Sequence, residues 1–327
     1  MSKRLRILLD GYIDGNFGDD LMLYLVANGL KEHKLYITSP KLDIAEYTEE
    51  KIGFDCYLKV TGSGFLIHNN KGIAYRMSDM YLEKRYSKNR AVINCNISGF
   101  VNCVAEKVIQ KQISDYDFVT VRDRYSYEYI TKNIPNVKCG KYPDMVLSLS
   151  DEMIPNVHSE NALGIRVHKS ADINLLAEIA DRFINETGKN VCLLCFNTGL
   201  EDDVSVANQV YDIMKNKHMT EIIRYTDIND MLKNIKRCGA ILGIRFHSTI
   251  LAIRMGIHVV PIAYSDKTKN ALDEIGYSGK IYDVNNIDTD EVLKSILNAV
   301  PYKLDGNIIK SAENHIKRFD EYIKRQC

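Results

Sequence analysis

The chain has 327 residues, 45% of them hydrophobic and 26% charged, with 43 Lys plus Arg against 43 Asp plus Glu. Zero formal charge argues against a general nucleic-acid binder, which shows a basic excess. The length suits two domains of ordinary size, each able to bury a core. No run approaches the roughly 18 apolar residues of a membrane-spanning helix, and the apolar run at residues 7–9 is too short for a signal-peptide core.

Strand-like and helix-length segments alternate from end to end. Residues 4–9, 34–37, 54–60, 91–94, 118–121 and 145–149 read as strands, with an amphipathic helix over 19–31. The polar stretch 150–161 reads as a linker. Beyond it, residues 163–166, 190–196, 221–225, 240–244 and 258–262 read as strands, and 173–187 and 204–215 as helices. Residues 289–299 and 307–325 read as closing helices. This is the β-α-β pattern of parallel sheets flanked by helices. It predicts an α/β protein with a Rossmann-like domain over 1–150, a second over 162–300, and a C-terminal helical segment over 301–327. The eight cysteines are scattered. Cys192 and Cys195 lie in the apolar run VCLLCF, where strand alternation sends their sulfurs to opposite faces. They read as reduced core thiols of a cytoplasmic protein, and no metal site is expected.

In open parallel sheets, ligands sit beyond the carboxyl ends of strands, so chemistry is sought there. Gly11-Tyr-Ile-Asp-Gly-Asn16-Phe-Gly18-Asp19-Asp20 follows the first strand and opens the first helix. Its glycine spacing does not fit the dinucleotide fingerprint, and its carboxylates would repel a phosphate. A sugar hydroxyl fits better, with Asp19 accepting its hydrogen bond or removing its proton. Capping of the helix is the simpler role for such residues. Gly243-Ile-Arg245-Phe-His247-Ser248-Thr249 follows the strand 240–244 and opens another helix. Arginine binds carboxylate or phosphate in a planar fork, histidine can donate a proton near neutral pH, and the N–H groups of Ser248 and Thr249 stand at a helix N-terminus. Tyr264-Ser-Asp-Lys267 comes one β-α unit later. Arg122-Asp123 ends the strand 118–121. Arg166 and His168 end the first strand of the second domain, with nothing nearby in sequence to complete an anion site.

Together these segments resemble the polysaccharide pyruvyl transferase family. The resemblance rests on Gly11…Asn16-Phe-Gly18-Asp19-Asp20, Gly62-Ser63-Gly64-Phe65, Val121-Arg122-Asp123…Ser126 and Pro143-Asp144. Its most specific part is Arg245-Phe-His247-Ser248…Leu251-Ala252…Gly256…Tyr264…Lys267. Asp20 stands where the family usually has Glu, and Asn94-Cys-Asn96-Ile-Ser98-Gly99 replaces a more glycine-rich stretch. The resemblance implies a GT-B-like fold, two Rossmann-like domains with parallel sheets facing across a cleft. It implies phosphoenolpyruvate as donor substrate, no cofactor, and a hexose acceptor, usually lipid-linked. His247 would be the general acid, Arg245 and Lys267 would clamp the donor, and Asn16, Gly18, Asp20, Arg122, Ser248 and Tyr264 would contact substrate. Asp19 would act on the acceptor hydroxyl. The expected place is the cytoplasm; runs such as Lys84-Arg85 read most simply as solvated helix faces, the alternative being peripheral contact with the inner face of the membrane. A GT-B-type glycosyltransferase using a nucleotide sugar is the competing reading; a nucleic-acid partner is not expected.

Overall fold

The computed structural model of the chain describes residues 4–263, 266–298 and 300–326, excluding the side chains of residues 266 and 267. The chain forms two compact units. One comprises Met1–Ile13, Met22–Ser148 and Ile309–Cys327, the other Asp14–Leu21 and Leu149–Ile308.

In chain order the first elements are β1 (Arg6–Asp10), α1 (Phe17–Gly29), β2 (Lys34–Ile37), β3 (Glu46–Tyr47), β4 (Cys56–Val60), β5 (Phe65–Ile67) and α2 (Asn70–Tyr86). They continue with β6 (Arg90–Cys95), β7 (Ile97–Phe100), α3 (Cys103–Ser114), β8 (Phe118–Val121), α4 (Arg124–Asn133) and β9 (Cys139–Lys141). A seven-stranded sheet of order β3-β2-β1-β4-β6-β8-β9 forms the centre of the first unit, and every pairing in it is parallel. Its inner strands β1, β4, β6 and β8 are largely apolar and buried, as expected where helices cover both faces of a sheet.

The second unit holds β10 (Ala162–Arg166), α5 (Ile173–Thr187), β11 (Val191–Cys195), α6 (Asp203–Ile213), β12 (Thr220–Arg224) and α7 (Ile228–Arg237). It goes on through β13 (Cys238–Gly243), α8 (Phe246–Arg254), β14 (His258–Ala263), α9 (Asp266–Glu274), β15 (Tyr282–Asp283) and α10 (Thr289–Leu297). Its parallel sheet runs β12-β11-β10-β13-β14-β15. The strand order therefore reverses between β10 and β13, the switch point at which doubly wound folds open a ligand crevice. Helix α5 keeps the bounds read from the sequence because both caps are written there. Asp172 accepts from the Asn174 amide at 2.8 Å, and Gly188 adopts the left-handed conformation at φ 64°, which glycine tolerates without a Cβ penalty.

The chain ends in α11 (Gly306–Ala312) and α12 (Asn314–Gln326), two helices where the sequence suggested one. Helix α12 buries His315, Phe319 and Ile323. The apolar run 145–149, expected as a strand, is instead a short 3-10 turn over Met145–Ser148. Side chains take the amides that a strand would offer to its neighbour. Asn94 Oδ1 accepts from Met145 N and Asp144 Oδ1 from Val146 N, each at 2.9 Å. Among the described residues no helix is long and apolar enough to cross a membrane.

Candidate functional site

The second unit's switch point gathers most of the chemistry. Helix α8 begins at Arg245, an extended residue of φ −121° and ψ 154° that turns the chain out of β13. This start is tightly built. Ser248 Oγ donates to the Arg245 carbonyl at 2.6 Å, and Thr249 Oγ1 bonds the Gly243 and Arg245 carbonyls at 3.3 Å each. The Ser248 hydroxyl is thus engaged in shaping the turn that presents Arg245 and His247, both half-buried.

The segment 14–21 packs within the same unit. Phe17 is fully buried, with its ring centroid 4.8 Å from that of Phe196 and 5.4 Å from that of Tyr225. Its amide donates to the Phe196 carbonyl at 2.9 Å. Asn16 caps α1: its side chain accepts from Gly18 N at 3.1 Å and its carbonyl from Asp20 N at 2.9 Å. Gly18 meets His247 directly. A Cβ on Gly18 would lie 2.6 Å from Cγ of the imidazole and 2.9 Å from Cε1, distances no real side chain tolerates. The absent side chain at position 18 is what admits the ring, so two motifs some 230 residues apart form one structure.

Asp19 is half-buried and Asp20 is 4% exposed. Asp20 Oδ2 accepts from the Tyr225 hydroxyl at 2.8 Å, while Oδ1 is buried with no hydrogen-bond partner among the described residues. Burial raises its pKa to about 6, against the opposing effect of the Tyr225 bond, because a carboxylate loses more hydration than one hydroxyl returns.

The structure brings Arg166 and His168 to the same place, since β10 and β13 are paired neighbours. Arg166 is 1% exposed, paired with Asp203 Oδ2 at 2.8 Å and stacked on the Phe196 ring at 4.9 Å. His168 has its pKa lowered to about 4, first by burial and then by the charges of Arg245 and Arg166. Its Nδ1 lies 2.7 Å from Ser170 Oγ. Arg245 is itself ion-paired with Glu201, and Asn197 Nδ2 donates to the same carboxylate at 2.9 Å. Glu201, Asn197 and Asp203 were not anticipated from the sequence. Their signal was position alone, since residues 197–203 directly follow the strand β11.

Lys267 lies in the first turn of α9, one β-α unit after His247, but its side chain is outside the described residues, as is Tyr264. A separate cavity of about 530 Å³, lined by His258, Tyr277, Lys280, Lys294, Tyr302 and Lys303 among others, opens near the amino end of β14, away from Arg245.

In the first unit, Arg122 and Asp144 form an ion pair at 2.7 Å, with residue exposures of 7% and 4%. A Cβ on Gly62 would meet Arg122 Nη1 at 2.9 Å, so the glycine loop lies on the guanidinium. Asn94 adopts φ 60° and donates to Asp144 at 3.2 Å. This left-handed conformation is one that Asn tolerates better than most side chains. His315 of α12 bonds the Pro143 carbonyl at 3.0 Å and Thr120 Oγ1 at 2.6 Å. Asp123 caps α4 by accepting from Ser126 N at 2.8 Å. Nearby, at the ends of β1 and β4, Lys59 lies 2.7 Å from Glu83, 3.4 Å from Asp10 and 3.9 Å from Asp79. Burial pushes the Lys59 pKa down, but these carboxylates outweigh it and hold the ammonium above its ordinary range.

Two parallel doubly wound units define a GT-B-like fold, and comparison with solved structures agrees. The UDP-GlcNAc 2-epimerase of Methanocaldococcus jannaschii superposes with a TM-score of 0.63 at 11% identity, covering 98% of this chain and 100% of that one. The Neisseria meningitidis UDP-GlcNAc 2-epimerase bound to UDP-GlcNAc gives 0.63 at 12% identity, with 98% and 99% coverage. The S. aureus MnaA–UDP structure gives 0.61 at 10%, with 98% and 97%. Identities this low speak to the fold alone. None of the curated proteins matches the chain in sequence. The family model of the polysaccharide pyruvyl transferases matches residues 16–266. The chain belongs to that family, and the match takes in both the Gly18 and the His247 segments.

Proposed function

We propose that this transferase moves the enolpyruvyl group of phosphoenolpyruvate onto a hexose of a surface polysaccharide precursor and closes it as a pyruvate ketal. The observation that carries this reading is the packing of the His247 ring against Gly18 beside Arg245. An acid next to a cation clamp is what protonation of a bound enol phosphate requires.

In this reading His247 protonates the methylene carbon of the donor while Arg245, with Lys267, holds its anionic groups. Positive charge develops at C2, one sugar hydroxyl adds there, and its proton passes to Asp19. Phosphate then leaves with the C2–O bond electrons, and a neighbouring hydroxyl closes the second C–O bond. Net, two hydroxyl hydrogens are lost from the sugar, the methylene becomes methyl, and inorganic phosphate is released. Cations fixed in advance around developing charge are the largest common source of rate enhancement. Asn16 and Ser248 act by shaping the two turns, Gly18 by admitting the ring, and Asp20 by anchoring the first turn of α1 to Tyr225. Arg122, held by Asp144 and lying under the Gly62 loop, and Tyr264 are carried as substrate contacts by the family resemblance. No disulfide is present among the described residues, which fits a reducing cytoplasm, and a lipid-linked acceptor would bring the protein to the inner membrane face.

The test is phosphate release from phosphoenolpyruvate with a panel of lipid-linked and free hexosides. Release should require an acceptor and fall about 10²-fold or more in His247→Ala, the scale of a lost general acid. A folded His247→Ala protein with full turnover refutes the assignment. Stabilisation by a nucleotide sugar but not by phosphoenolpyruvate would instead favour glycosyl transfer.

A further inference from the structure

The loop 197–202 between β11 and α6 places a carboxylate on the one arginine that the proposed chemistry needs. Glu201 pairs with Arg245, and Asn197 Nδ2 holds the same oxygen, Oε2, at 2.9 Å. The charges around it balance. Arg166 is matched by Asp203 at 2.8 Å, and Glu201 matches Arg245, so each of these two guanidiniums already carries a carboxylate that an incoming anion must compete with. The pair is only partly screened, with side-chain exposures of 23% for Arg245 and 35% for Glu201. Burial alone would raise the Glu201 pKa, but the charge and hydrogen bond of Arg245 bring it below the ordinary value. At neutral pH Glu201 is therefore an anion seated on a guanidinium, with an amide donor beside it.

Its tether is light. The loop is pinned by Thr198 N to the Gly15 carbonyl at 2.9 Å and Leu200 N to Asp14 Oδ2 at 3.0 Å. Between them Gly199 lies so close to Asp14 that a side chain there would clash, and Leu200 is 87% exposed. We propose that the Glu201 carboxylate is the resident occupant of an anion subsite formed by Arg245 and Asn197, and that a small carboxylate- or phosphate-bearing substrate binds by displacing it. The inference rests on the donor reading above for its choice of substrate, but not for the existence of the subsite. Glu201 is a specificity device in this scheme. A neutral or weakly anionic molecule cannot repay the lost ion pair, whereas a phosphoenolpyruvate trianion can.

The experiment is calorimetric titration of wild type, Glu201→Gln and Asn197→Ala with phosphoenolpyruvate, pyruvate and inorganic phosphate. Glu201→Gln is expected to bind the anion of the subsite about tenfold more tightly, the scale of one charge-assisted contact no longer displaced. Asn197→Ala is expected to bind it more weakly than Glu201→Gln. Unchanged or weaker binding of all three anions by a Glu201→Gln protein that melts with the wild type overturns the proposal. If Glu201→Gln melts earlier, titration of Glu201→Ala decides in the same way. If phosphate or pyruvate binding tightens but phosphoenolpyruvate does not bind, the subsite stands and the donor reading falls. If no anion tightens while phosphoenolpyruvate-dependent phosphate release persists, the reaction stands and the subsite falls.

Discussion

Gly18→Ala separates a steric role from a generic helix effect, because the two have opposite signs. Replacing glycine by alanine inside a helix ordinarily stabilises it by up to about 1 kcal/mol. Here the added Cβ would sit 2.6 Å from His247 Cγ and 2.9 Å from Cε1, so the ring or the first turn of α1 must give way. Phe17 and Asp20 are buried on either side, and forcing an extra methyl into a packed position costs about 1–3 kcal/mol. The net expectation is a destabilisation of about 1–2 kcal/mol, or several degrees in melting temperature. Activity should suffer more, since displacing a catalytic group by an ångström costs about 10²-fold. The assay is a double-mutant cycle on thermal stability and phosphate release with Gly18→Ala, His247→Ala and the pair. Removing the ring should abolish the penalty, making Gly18→Ala neutral or stabilising in the His247→Ala background. Additive effects on both readouts, or a more stable and fully active Gly18→Ala, would refute the contact.

Asp20 makes a pH prediction. Its folded pKa of about 6 lies above the ordinary 3.8, so the protonated carboxyl contributes stability below pH 4, and that contribution is lost as pH rises through about 6, to a total of up to about 3 kcal/mol. Asp20→Asn should therefore be at least as stable as wild type at pH 7, with the difference shrinking towards pH 4; a difference constant across that range would contradict it. Asp144→Ala should cost about 3–5 kcal/mol by removing the carboxylate 2.7 Å from the buried Arg122 charge. Arg122→Met with Asp144→Leu should recover much of that loss in chemical denaturation, and equal losses in the single and double variants would show that the pair is not the cause.

The sequence revealed the inner sheet strands and α5 most clearly, because continuous apolar runs and the Asp172 and Gly188 caps act locally, while the short edge strands β3, β9 and β15 carry no such run. Helix α2 received no bounds from the sequence, only its Lys84-Arg85 run reading as a solvated helix face, and Glu83 explains why. It is buried on the helix to meet Lys59, Tyr116 and Gln112, so the inward face carries a charge where a periodic pattern expects an apolar residue. The run 145–149 misled for the converse reason, since its burial is apolar but its amides are bound by Asn94 and Asp144. At the site, Arg245 and His247 were legible as a motif at a strand end. Arg166 and His168 were set aside because their neighbour Arg245 is distant in sequence, and only the β10–β13 pairing brings them together. Glu201 had no motif at all, only its position after β11.

Helix α1 and helix α12 also bear on how the protein is made. The first unit is completed by Ile309–Cys327, whose His315, Phe319 and Ile323 are buried. During synthesis, at about 5–20 residues per second, that unit waits for residues 309–327. The second unit's own early segment, Asp14–Leu21, by contrast, leaves the ribosome long before the rest of it. The later half is therefore able to close first, against the usual N-terminal-first order. An expression fragment cut at residue 149 would leave Phe196 and Tyr225 without the Phe17 ring that covers them.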